Sequence, residues 1–221
     1  MVITDLGLME FDAAYALQQR LVAGIAASTE PETLLLLEHP AVYTIGSGGN
    51  EANVLDPSVE VRRINRGGDV TWHGPGQLVG YPLISLDRRG CDLHRYLRFL
   101  EELLIRVAAD SGVAARRVPG RTGIWTDGGK LASIGVGCRR WVTMHGFALN
   151  VAPDLAAFDL INPCGIVACP VTSLTRECGA AVAMAEVRKT VVKLFAPLLA
   201  EWMPEKPAER DSIADVVCLG R

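Results

Sequence analysis

Apolar residues recur along this chain at two periods, and the period changes mark its elements. Leu93, Tyr96, Leu97, Leu100, Leu104, Val107 and Ala108 follow the i, i+3, i+4, i+7 spacing of one helix face. Asp92 stands where an N-cap belongs and Gly112 where a C′ glycine belongs, so this is the clearest helix. Phe11, Ala14, Tyr15, Leu21, Val22 and Ile25 predict another over Phe11–Ala27. A third spans about Ala183–Trp202, with Pro197 expected to kink or end it. Strands are predicted at Thr33–Glu38 and Val42–Ile45, broken at His39-Pro40, then at Val61–Asn65 and Leu78–Leu86. Thr122–Thr126, the turn Asp127-Gly128-Gly129 and Lys130–Gly137 read as a hairpin, with Trp141–Val151 as the next strand of a meander. Helices and strands alternate without a regular βαβ rhythm. The expected architecture is one α/β (α+β) domain over residues 1–204, a mixed sheet flanked by helices, with 205–221 as a C-terminal tail.

Composition narrows the function. The chain has 221 residues, enough for one core without disulfide or metal staples. A formal charge of −3 argues against bulk binding of nucleic acid or anionic membrane. The mean hydropathy of +0.23 raises the question of a membrane span, but no uncharged apolar window is long enough. Met1-Val2-Ile3-Thr4-Asp5 lacks a basic n-region before an apolar run, so no secretory signal is expected and the location expected is cytoplasmic. The six cysteines fit no zinc framework, and most are expected to be buried small hydrophobes. The glycine runs match neither a dinucleotide fingerprint nor a phosphate-binding loop.

Three segments carry more than scaffold. Arg66-Gly67-Gly68-Asp69-Val70-Thr71-Trp72-His73-Gly74-Pro75-Gly76-Gln77 holds four glycines and a proline in twelve residues. That density permits close backbone approach to a ligand, with Arg66, Thr71, His73 and Gln77 as polar wall groups. The second runs from Gly120 to Trp125 and on through Lys130 to Gly135. Lys130 taken alone reads as a solvated charge. In the third, Asn162-Pro163-Cys164-Gly165, a rigid turn displays a cysteine. Thiol chemistry needs the thiolate, which a nearby cation favours. Lys130, or a protonated His73 or His145, could supply that cation. Backbone N–H groups beside Cys164 and in Gly74-Pro75-Gly76 are candidate oxyanion donors.

In order and spacing these segments resemble the lipoyl(octanoyl) transferase family. The resemblance rests on Arg66-Gly67-Gly68-x-Val70-Thr71-x-His73-Gly74-Pro75-Gly76-Gln77-Leu78-Val79-x-Tyr81-Pro82 and on Gly120-Arg121-x-Gly123-Ile124-Trp125. It continues with Lys130-x-Ala132-x-Ile134-Gly135, His145-Gly146-x-Ala148-Leu149-Asn150 and Ile161-x-Pro163-Cys164-Gly165-Ile166, and it extends to about Trp202. It implies a biotin/lipoate protein ligase-like fold and transfer of an octanoyl or lipoyl group from acyl carrier protein to a lysine of a lipoyl domain. The acceptors implied are the E2 subunits of 2-oxoacid dehydrogenases and the glycine cleavage H protein. Cys164 would be the acyl-thioester nucleophile and Lys130 its partner. Arg66, Gly67, Gly68, Asp69, Val70, Thr71, Trp72 and His73, then Ser133, Ile134, Gly135, Gly146, Phe147 and Ala148, would line the acyl site. His145 and Gln77 would support it. The octanoyl group would arrive on the carrier's phosphopantetheine, with no ATP and no metal, and the protein would act as a monomer. An ATP-dependent lipoate or octanoate ligase on the same fold is the alternative, followed by a non-catalytic acyl-binding module.

Overall fold

The computed structural model describes residues 1–206. Ten strands and four helices run in the order β1 (Val2–Leu8), α1 (Phe11–Ala26), β2 (Thr33–Glu38), β3 (Val42–Ile45), β4 (Val61–Arg63), β5 (Thr71–His73), β6 (Gln77–Leu83), α2 (Leu93–Asp110), β7 (Arg116–Val118), β8 (Arg121–Trp125), β9 (Lys130–Arg139), β10 (Val142–Asn150), α3 (Leu174–Cys178) and α4 (Met184–Trp202). A seven-stranded mixed sheet has the order β1-β2-β6-β10-β9-β8-β7, and a three-stranded sheet has the order β4-β3-β5. The expected mixed α/β fold is therefore present.

Strand alternation divides the core in two. Leu34 and Leu36 of β2 join the packing of α2 and α4, including Phe99, Leu104 and Phe195. Leu35 and Leu37 face Ala14, Leu21, Val22 and Ile25 of α1. A strand buried on both faces reads as a continuous leucine run, as β2 does. The small sheet closes over a third cluster, with Ile45, Val70 and Trp72 against Phe158 and Ile161.

Several expectations change. β1 pairs in parallel with β2 and was not anticipated, because its half-exposed residues carry no strong pattern. β5 is a three-residue strand inside the glycine-rich segment, short enough to read as loop. The expected strand Val42–Ile45 is present and is the centre of the small sheet. Pro197 does not end α4, which runs on to Trp202. The carbonyl of Lys193 that loses its N–H partner is at an exposed residue, and buried Leu198 and Leu199 anchor the final turn. None of the five described cysteines is fully buried; Cys91, Cys164 and Cys169 are half-buried, and Cys138 and Cys178 are exposed. Glu205, assigned to the tail, pairs with Arg89 at 2.8 Å, and the tail beyond 206 lies outside the described residues.

One local feature prepares the site. β8 pairs with β9 at Ile124–Ala132 and Trp125–Lys130, with a shift in register between them. Gly123 sits at that departure with φ +115, and a Cβ there would meet the Ala132 carbonyl oxygen at 2.4 Å, so only glycine fits. Beyond it the outer edge of β9 turns to another partner, and Val136 O accepts from Gly67 N at 2.8 Å. The glycine-rich segment thus lies across the sheet where β8 leaves it.

Candidate active site

Cys164 occupies a short 3-10 turn, Pro163–Gly165, with φ +58 and ψ 24. A side chain in the left-handed region is strained and persists only where its surroundings fix it. Here the fixing bonds are specific. The Cys164 N–H donates to Val70 O at 2.9 Å, and the Asn162 N–H donates to Asn53 O at 2.7 Å. Asn53 Nδ2 donates to Asp69 Oδ2 at 2.7 Å, and Asp69 Oδ1 accepts from Val70 N at 2.6 Å. The turn is therefore clamped to β5 and to the segment around Asn53.

Lys130 opens β9 and is 2 % exposed, so it is not the solvated charge its sequence position suggests. Its Nζ lies 2.7 Å from Cys164 Sγ and 5.5 Å from the centroid of the Trp125 ring. The backbone holds it on both sides: Lys130 N donates to Pro170 O at 2.7 Å, and Lys130 O accepts from Thr172 N at 3.1 Å.

A narrow slot leads away from the sulfur between the two sheets. Arg66, Gly68, Thr71 and His73 form one wall; Ser133, Ile134, Gly135, Gly146, Phe147 and Ala148 form the other. Phe11, Ile64, Tyr81 and His145 complete it. Gly135 is needed here because a Cβ would come within 3.0 Å of Arg66 Cδ. A separate, larger groove also reaches Cys164, past half-buried Leu93 and Leu97 of α2 and past Arg121. Gly68, Ile134, Gly135 and Cys164 border both. The cysteine is thus the junction of an inner slot and an outer groove.

Not every expected wall residue lines the slot. Val70 and Trp72 turn into the core under the small sheet, because alternate residues of β5 face opposite ways. Asp69 braces the cysteine turn, and Gly67 borders the outer groove. Tyr81, Phe11 and Ile64 were not picked out as wall residues, nor Asn53 as a brace. Tyr81 and Asn150 do fall in the quoted motifs, and an ordered motif residue facing a slot was the available signal. Nothing in the sequence marked Asn53.

The histidines are not cations. Burial, with His39 and Arg66 nearby, lowers the pKa of His73 to about 3. Burial and Arg66 lower that of His145 to about 4. Both rings are neutral near pH 7, so of the three candidate cations beside Cys164 only Lys130 can serve. His73 Nδ1–H donates to Gln77 Oε1 at 2.7 Å, and Gln77 Nε2 donates to Asn150 Oδ1 at 2.9 Å. Asn150 Nδ2 donates to Thr172 O at 2.9 Å, which links His73 to the backbone that holds Lys130. His145 Nε2–H donates to Asn65 Oδ1 at 3.0 Å, and its ring stacks on Tyr15 of α1. These partners fix each tautomer and orient the loops.

Four of the backbone N–H groups expected to serve as oxyanion donors are committed elsewhere. Cys164 N, Gly165 N and Ile166 N donate to Val70 O, Asn162 O and Pro163 O, and Gly76 N donates to Glu38 Oε2 at 2.8 Å. Among the described residues, no group of three or more His, Cys, Asp or Glu side chains is placed to hold a metal, and no helix is long and apolar enough to cross a membrane.

A cysteine–lysine pair at the head of a narrow slot on this fold defines a class. The chain belongs to the lipoyl protein ligase A/B catalytic domain family, which it matches over residues 11–196. Within that family its relatives are octanoyltransferases. The octanoyltransferase of Geotalea uraniireducens is 67% identical, with 96% of this chain and 99% of that protein covered. That of Geobacter metallireducens is 70% identical, with 92% of this chain and 96% of that protein covered. Among solved structures, a bi-partite lipoate protein ligase from Thermoplasma acidophilum superposes with a TM-score of 0.69 at 16% identity, covering 90% of this chain and 82% of its own. A biotin protein ligase from Aquifex aeolicus gives 0.56 at 11% identity, covering 92% and 71%. At such identities the structural likeness establishes the fold.

Proposed function

We propose that the domain over residues 1–204 moves an octanoyl group from the phosphopantetheine thioester of acyl carrier protein to the ε-amine of a lysine on a lipoyl domain, through an acyl-thioester on Cys164. The observation that carries this reading is the 2.7 Å approach of Lys130 Nζ to Cys164 Sγ at the junction of slot and groove. The acyl chain enters the slot. The carrier's arm, and later the acceptor lysine, approach in turn along the outer groove, since the slot is then filled.

The proton inventory closes. The cycle begins with a Cys164 thiolate and a Lys130 ammonium. The sulfur attacks the thioester carbon, the new C–S bond forms, and the bond to the carrier's sulfur breaks. That departing thiolate takes a proton from Lys130, which is left as the neutral amine. The acceptor amine then attacks the acyl-Cys164 carbonyl and gives its surplus proton to Lys130. The C–S bond breaks, and thiolate and ammonium are restored. Exchange between thioesters is near balance, and amide formation drives the second half, so no nucleotide has to activate the acid. The nucleophile divides one difficult encounter of two proteins into two transfers.

Arg121 is exposed at the groove, with its guanidinium 5.4 Å from the Trp125 ring centroid and no carboxylate partner among the described residues. It suits an acidic carrier or acceptor, as do exposed Arg139 and Arg140. Arg62, Arg63, Arg89, Arg116 and Arg117 are instead spent on ion pairs, Arg89 with Glu32 and Arg117 with Glu101 among them.

The deciding experiment is intact mass after mixing the protein with octanoyl-carrier protein without ATP, beside Cys164→Ala. One octanoyl adduct, discharged by a lipoyl domain and missing from the variant, is the expected result. Modification of a lipoyl domain that needs ATP and free octanoate and survives Cys164→Ala would establish the ligase reading instead.

A further inference from the structure

Attack on a thioester turns its carbonyl oxygen into an oxyanion, and the N–H groups of Cys164, Gly165, Ile166 and Gly76, all expected to receive it, already have acceptors. Two other donors in the slot are buried and have none. Thr71 is 5 % exposed, and its Oγ1 is buried without a hydrogen-bond partner. Arg66 is 7 % exposed, and its Nε is likewise unpartnered. The rest of that guanidinium is tied down, with Nη2 donating to Thr44 O and Oγ1, each at 2.9 Å, and Nη1 to Gly67 O at 3.1 Å. Both side chains line the slot together with Cys164.

Position follows from the backbone. Val70 O accepts the Cys164 N–H, so Thr71, the first residue of β5, follows directly on the residue that holds the cysteine. Val70 and Trp72 point into the core, and alternation therefore turns Thr71 to the slot. Buried polar groups in folded proteins are nearly always paired, so an unpaired hydroxyl next to a nucleophile is conspicuous.

We propose that the Thr71 hydroxyl, with the Arg66 Nε–H beside it, is the oxyanion site of this enzyme. When Cys164 sulfur bonds to the acyl carbon, the carbonyl π pair moves to oxygen, and Thr71 Oγ1–H and Arg66 Nε–H donate to it. When the pair returns, the bond to the carrier's sulfur breaks, and in the second half-reaction the bond to Cys164 breaks. Neither donor gives up its proton. The donors are fixed before the substrate arrives, the arrangement in which such groups act most strongly.

The inference rests on the acyl-transfer reading, and the test separates the two. Thr71→Val removes the hydroxyl at nearly constant shape, and Thr71→Ser keeps it. Two rates are read on Cys164: single-turnover octanoylation from octanoyl-carrier protein, and alkylation by iodoacetamide, which displaces at a saturated carbon and forms no oxyanion. Thr71→Val is expected to slow octanoylation by roughly 10²-fold at saturating donor. Alkylation stays within about twofold of wild type, and Thr71→Ser recovers most of the octanoylation rate. Octanoylation of Thr71→Val at the wild-type rate would overturn the proposal and leave the transfer reading standing. Parallel loss of octanoylation and alkylation would overturn it as well, by showing that Thr71 only shapes the cysteine turn. A wild-type protein that takes no acyl group from the carrier would refute the transfer reading itself.

Discussion

Neutral buried histidines beside the slot make stability depend on pH in a defined window. His73 is 8 % exposed and His145 2 %, so solvent screening is slight. Unfolded, each titrates near 6.5; folded, burial and the neighbouring Arg66 hold them at about 3 and about 4. His39, beside Phe11 and 6.0 Å from the His73 ring, moves in the same direction, chiefly through burial. Well above pH 6.5 neither state is protonated and nothing changes. As pH falls below 6.5 the unfolded chain takes up protons that the folded chain refuses, so stability falls until the folded pKa is reached. The slope is about 1.4 kcal/mol per pH unit for each histidine. Between pH 6.5 and 5, His73 and His145 together remove about 3 kcal/mol, a large part of a stability of roughly 5–15 kcal/mol. Most carboxylates titrate below this window. Urea unfolding at pH 7.5, 6.5, 5.8 and 5.0, at constant ionic strength, measures the effect. His145→Gln keeps a side-chain amide to meet Asn65 and should lower the slope by one histidine's share while starting from a lower stability. A free energy flat to within about 0.5 kcal/mol from pH 6.5 to 5, or a slope untouched by His145→Gln, would refute the neutral-histidine account.

Three further outcomes follow from the site. Lys130→Met removes the group that takes and returns the proton, and octanoyl loading of Cys164 should fall at least about 10²-fold in intact-mass time courses; loading within tenfold of wild type would remove Lys130 from the mechanism. Ala148→Leu adds bulk to the slot wall, so hexanoyl or butyryl donors should overtake octanoyl in single-turnover competition; an unchanged order would mean the chain does not lie there. Raising NaCl from about 50 to 300 mM should slow loading from the acidic carrier, and Arg121→Gln should flatten that dependence; equal salt slopes for both proteins would place the docking surface elsewhere.

The elements legible in the sequence are those whose stabilisation is local. α2 carries its own N-cap, with Asp92 accepting from Arg95 N at 2.8 Å, and a full apolar stripe. The β8–β9 hairpin carries its turn residues. β1 and β5 carry neither; each is a strand because a partner is there to pair with it, and partners are tertiary facts. The same division holds at the site. Cys164 stood out through its rigid turn, but Lys130 read as a surface charge until the fold laid it under the cysteine, 34 residues away in sequence. Oxyanion donors were sought among backbone amides near glycines, the usual place. The N–H groups of Cys164 and Gly76 are held by Val70 O and Glu38 Oε2, partners far off in sequence, and the buried unpaired donors in the slot are side chains.

A fold shared with ligases does not decide between activating an acid and exchanging a thioester, since function resides in the site and not in the scaffold. The glycine-rich wall, the slot and Lys130 suit either chemistry. What tips the balance is the effort spent on one turn. Cys164 is held in a left-handed conformation by Val70 O below it and by Asn53 and Asp69 beside it, bonds that contribute nothing to either sheet. A cysteine that served only to fill space would relax into an ordinary turn or be buried in a core. Here the strain holds its sulfur at the place where a narrow slot meets a wider groove. A covalent carrier of an acyl group needs both: one side to shelter the chain and the other to admit two partners in succession.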